Sequence, residues 1–197
     1  MKAKLVSFDG AVLTLQPATG ASFSVSVLPD TRYVGSDRAP FAGIKAGDYA
    51  GAAVEPRGAA LRATDVYLYA PQLRGTGEGR FPDGGRLMVN GTVTAVAPAT
   101  PKDGVLTLHY HGAVLNQAGK GATVCEGRAT PAPYASAMAC EADAVIAVAP
   151  GTPVSALTVG DKSLLVPGAT VTVAMTRLPD GKSVTPGVVV EKPQSPQ

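Results

Sequence analysis

The chain has 197 residues, 45% hydrophobic and 16% charged, with a formal net charge of +2. That length suits one or two small domains, and the lack of any Lys/Arg cluster excludes the electrostatic footprint of a nucleic-acid binder. No apolar run reaches the ~20 residues that cross a bilayer as a helix, and 23 glycines with 17 prolines put a turn residue about every five positions, which excludes long helices.

Alternation, rather than a 3.6-residue period, runs along the chain. Residues 3–16 (AKLVSFDGAVLTLQ) read as two short apolar runs around the turn Asp9-Gly10, and Ser22–Val27 (SFSVSV) is a period-two strand. Pro40 can open a helical turn or two in APFAGIK, which Gly47 can close. Residues 48–69 are then two strands around Pro56-Arg57-Gly58. The same grammar returns after Arg86. LMVNGTVTAVAP and GVLTLHYHG form a hairpin, DAVIAVAPGTPV is a strand, and residues 168–192 are a closing hairpin. Segment 24–35 matches 145–156, and 44–68 matches 165–190, so the chain contains an internal repeat. The expected fold is all-β: two tandem small five-stranded OB-like antiparallel barrels over residues 2–69 and 87–192, joined by a junction at 70–86, with a disordered tail at 193–197. With no Trp and four Phe among many Ala, Val and Leu, the cores should be built from small side chains.

Two stretches carry candidate chemistry. In LRGTGEGRF, Arg74, Gly75, Gly77, Glu78, Gly79 and Arg80 could present backbone N–H groups and positive charge to an anion. The spacing fails the phosphate-loop pattern, because no Gly-Lys-Ser/Thr follows and no amphipathic helix comes next. The preferred reading is a structural junction that needs positive φ at its glycines and pairs Glu78 with an arginine. In LHYHG, His109 and His111 lie two apart on a strand and therefore share a face, a spacing that can chelate a divalent transition metal such as Zn, Cu or Ni. A third ligand could come from Glu126, Glu141, Asp143 or a reduced cysteine. Without one, the pair is two exposed histidines on a barrel face, with Tyr110 pointing the other way into the core.

The run Arg74–Gly79, followed by Phe81 and Asp83 and then by Met88, Asn90, Gly91, Thr92 and Val93, resembles the junction of a family of exported bacterial proteins of unknown function built from tandem OB-like domains. The chain departs from that family at Arg80, where a histidine is usual, and at residues 112–141, which look like an inserted loop. The resemblance implies a periplasmic or extracellular protein whose signal peptide is absent from this chain. In such a setting Cys125 and Cys140 are expected to pair, closing a ~15-residue loop worth roughly 3 kcal/mol in chain-entropy terms.

No Ser-His-Asp context, paired-carboxylate cleft or cofactor fingerprint is present, so no catalytic residue is assigned. Two functions follow. The first is a non-catalytic extracytoplasmic module that binds a protein partner or a second copy of itself, with Tyr134 and Met138 of the inserted loop as contacts. The alternative is a small-ligand or transition-metal-binding protein that uses His109, His111 and the loop.

Overall fold

The computed structural model describes residues 1–57, 60–83, 85–100, 103–111 and 141–191, with 114–115, 123–124 and 131–132. Cys125, Cys140, Tyr134, Met138, Glu126 and the tail at 193–197 lie outside the described residues, and with them the disulfide and the loop contacts expected there.

The described chain is all-β. Its strands are β1 (Lys2–Phe8), β2 (Val12–Gln16), β3 (Phe23–Arg38), β4 (Tyr49–Arg57), β5 (Ala60–Tyr69), β6 (Gly79–Asp83), β7 (Arg86–Thr100), β8 (Asp103–His111), β9 (Val114–Leu115), β10 (Thr123–Val124), β11 (Pro131–Ala132), β12 (Glu141–Val148), β13 (Val154–Gly160), β14 (Thr170–Val173), β15 (Thr176–Arg177) and β16 (Ser183–Glu191). Helical structure among these residues is limited to single 3₁₀ turns at Phe41–Gly43, Pro71–Leu73 and Lys162–Leu164. The first is the turn expected after Pro40. Strand β3 runs eleven residues past Val27 and contains Pro29. Within the inserted segment, β9, β10 and β11 form a small antiparallel sheet of their own.

The contacts divide the chain into two compact units, residues 38–156 and residues 1–37 with 157–197. In the first, β7 pairs with β8, β8 with β12, β12 with β5, β5 with β4, and β4 returns to β7, which closes a five-stranded barrel. Alternate residues of these strands, among them Ala52, Val54, Val66, Val89, Val93, Leu106, Leu108 and Ile146, fill its interior. In the second unit, β1 pairs with β2, β2 with β3, β3 with β16, β16 with β14, and β14 with β1. Leu5, Leu13, Leu15, Val25, Val171, Val173, Val188 and Val190 form that core.

Two features differ from the sequence expectation. Each ring closes through one parallel pairing, β12 with β5 and β3 with β16, so neither ring is wholly antiparallel. The units are also not the consecutive blocks 2–69 and 87–192. Hairpin β4–β5 completes the ring of β7, β8 and β12, whereas β14 and β16 complete the ring of β1, β2 and β3. The physical reason lies in the repeat itself. It makes the two hairpins alike in length and apolar pattern, so alternation alone does not say which three-stranded partner each hairpin closes.

Candidate metal centre

The period of a strand places His109 and His111 on the outer face of β8 and turns Tyr110 inward, where it is 1% exposed. Antiparallel pairing with β12 then sets Asp143 directly opposite His109 and Glu141 directly opposite His111. Directly opposed residues have neighbouring Cβ atoms. Two imidazoles and two carboxylates are therefore gathered on four adjacent lattice positions of one sheet face.

The rings meet edge to face, with centroids 5.3 Å apart and planes at 90°. Oε2 of Glu141 lies 3.8 Å from Nε2 of His109 and 3.8 Å from Nε2 of His111. One ligand atom from each of the three residues falls within 4.8 Å of the other two. Zinc bonds of about 2.1 Å in tetrahedral geometry separate ligand atoms by about 3.4 Å, so the carboxylate oxygen needs to close on each imidazole by roughly 0.4 Å, and no pair by more than about 1.4 Å. Glu141 is exposed and free to make that adjustment. The other ring nitrogens are held: Nδ1 of His109 lies 3.0 Å from Oδ1 of Asp143, and Nδ1 of His111 lies 2.9 Å from Oε1 of Glu78. An ionised carboxylate only accepts, so each Nδ1 donates, and in the neutral imidazole the lone pair then lies on Nε2. Of the described residues considered from the sequence as third ligands, Glu141 is grouped with both histidines, and Asp143 lies against the His109 ring.

Glu78 arrives from the glycine-rich run. Strands β6 and β8 lie along the same edge of β7: Gly79 is opposite Asn90, and His109 is opposite Thr92. The start of β6 thus meets the end of β8. Positive φ at Gly75 (80°), Gly77 (57°) and Gly79 (124°) bears out the turn geometry expected for this run. The N–H groups of Thr76 and Glu78 donate within it, to Leu73 and Gly75, and so are engaged inside the turn. Arg74, expected to pair with Glu78, instead donates to the carbonyl of Gly47 and to Oγ1 of Thr92 (3.2 Å) and sits over the Tyr49 ring. Arg80 lies within β6 opposite Val89, and its charge partly offsets the burial that raises the Tyr110 hydroxyl. The link from Glu78 to His111 spans 33 residues, and nothing local in the sequence signals it.

Behind the run, burial pushes the Tyr69 hydroxyl up to about 12, with the neighbouring Tyr67 adding to the shift. Tyr49 is raised further, first by burial and then by the charges of Glu78 and Tyr69, against the opposing charge of Arg74. A raised folded-state value means that the folded protein holds these protons more tightly than the unfolded chain. The stability they contribute is complete below the ordinary tyrosine value of 10.0 and is lost as pH rises toward 12. Thermal melts across that window should fall in midpoint, and Tyr69→Phe should flatten the decline by about 2 kcal/mol between its ends. Parallel curves for the two proteins would remove Tyr69 from the effect.

No protein-family model, no curated protein and no solved structure matches this chain.

Proposed function

We propose that the protein binds a divalent transition metal of the zinc, copper(II) or nickel class through Nε2 of His109, Nε2 of His111 and a carboxylate oxygen of Glu141. The observation that carries this reading is that Oε2 of Glu141 lies 3.8 Å from each Nε2, within a group of three residues whose ligand atoms fall within 4.8 Å of one another on two paired strands. Two imidazoles with one carboxylate are borderline ligands that suit these metals rather than calcium or magnesium, which take all-oxygen shells. Three protein ligands leave room for a water or an outside group in the remaining position. Of the two functions open from the sequence, an interaction module and a metal-binding protein, this geometry favours the second.

Elemental analysis and calorimetric titration of untagged protein test it. One equivalent of zinc per chain is expected, with stoichiometric binding lost in His109→Ala and in Glu141→Ala. Undiminished binding in the double variant His109→Ala/His111→Ala would refute the site.

A further inference from the structure

The glycine-rich run is the most distinctive stretch of the sequence, and metal ligation by itself leaves it without a role. We infer that the run is a bracket that fixes Glu78 against His111, making Glu78 the positioning residue of the metal centre. This rests on the metal-binding reading proposed above.

One carboxylate oxygen of Glu78 accepts from His111 twice, from its backbone N–H at 3.0 Å and from Nδ1 at 2.9 Å. The first contact satisfies the strand-end N–H of β8, which faces the edge of β7 that β6 occupies. The second sets the rotation of the ring and leaves Nε2 turned toward Glu141 with its lone pair free. The side chain of Glu78 is 23% exposed and that of Glu141 is 67%, so the supporting carboxylate is the more confined of the two.

The run is fastened from behind. Asn90, 3% exposed, donates from Nδ2 to the carbonyl of Gly77 at 2.8 Å and accepts from the Tyr69 hydroxyl at 3.2 Å. The Tyr49 hydroxyl donates to the carbonyl of Thr76 at 3.2 Å. Burying an amide is costly unless its groups are paired, and here the pairing is directed at the run. Gly51 makes the space: a Cβ there would lie 2.1 Å from Oδ1 of Asn90. Glycines turn the chain at the required φ, and a buried amide and a tyrosine hold it, so Glu78 reaches one place. Asp143 serves His109 in the same manner at 3.0 Å.

The test uses the full untagged chain. Zinc affinity is measured by chelator competition, and the imidazole tautomers are read from long-range ¹H–¹⁵N spectra of the metal-free protein, for wild type, Glu78→Ala, Glu78→Gln and His109→Ala. In the wild type both imidazoles are expected as Nδ1–H tautomers. Glu78→Ala should shift His111 toward the other tautomer and weaken zinc binding about 10- to 100-fold. Glu78→Gln, which keeps an acceptor oxygen and guards against a folding defect in the alanine variant, should lose less. Wild-type zinc affinity in Glu78→Ala, with binding still lost in His109→Ala, overturns this inference alone. Absence of stoichiometric zinc in the wild type overturns the metal site and this inference with it.

Discussion

Replacing Gly91 with alanine is expected to destabilise the barrel of residues 38–156 more than the same methyl at Gly10 destabilises the chain. Gly91 lies in β7 opposite Ala50 of β4, one residue before the Thr92–His109 pair that joins β7 to β8. A Cβ at this position would fall 2.2 Å from the carbonyl oxygen of His109, 2.9 Å from its carbonyl carbon and 3.0 Å from Cβ of Tyr110. These are backbone and Cβ atoms of a paired strand, so no side-chain rotation relieves the clash. Either β7 and β8 separate or β8 shifts, and both displace Leu108 and Tyr110 from the core. Overpacking of this kind costs about 3 kcal/mol or more against a total stability of roughly 5–15 kcal/mol. Gly10→Ala is the control: its φ is +100° but nothing lies within 4 Å of the added atom, so it should cost only the backbone strain of about 1 kcal/mol. Urea unfolding separates the two, and a wild-type midpoint for Gly91→Ala would contradict the β7–β8 approach. The carbonyl that clashes belongs to His109, so zinc binding should weaken along with stability.

The second large effect concerns fragments. If the hairpins are exchanged as the pairing shows, residues 1–69 prepared alone carry β1, β2 and β3 without β14 and β16, and β4 and β5 without β7 and β12. Residues 86–197 carry the complementary orphans. Neither fragment should give a dispersed NMR spectrum or a cooperative melt. An equimolar mixture should recover both, because each ring then regains five strands. Cooperative folding of residues 1–69 alone would show that a consecutive barrel is stable and that the exchange is not obligatory.

Much of this fold was legible in the chain itself, for reasons that are local. Val12–Gln16, Asp103–His111 and Ser183–Glu191 alternate, Gly10 and Gly181 turn with positive φ, and Pro40 opens a 3₁₀ turn. Each is set within a few residues. The shared face of His109 and His111 and the burial of Tyr110 follow from strand period in the same way. What could not be read depends on distance along the chain. Glu141 is one of three acids within reach of the histidines by sequence, and only the register of β12 against β8 sets it opposite His111. Glu78 read as a partner for arginine because Arg74 and Arg80 flank it, yet the edge shared by β6 and β8 brings it to His111. The repeat showed which segments are equivalent, and equivalence left their pairing open.

The exchange of hairpins also sets a timetable for biosynthesis. Strand β1 is synthesised long before β14, with which it pairs; the bond between the Met1 nitrogen and the carbonyl of Val173 joins positions 172 residues apart. At about 5–20 residues per second, β1 to β3 wait roughly ten to thirty seconds with open edges before the strands that cover them are made. Unpaired edges are templates for association with other nascent chains. Lys2 and Lys4 lie on β1, and Lys4 reaches Thr170 only once β14 has arrived. During the interval these charges disfavour edge-to-edge pairing between copies, which gives the basic residues of the first strand a task during translation that is finished before the native protein exists.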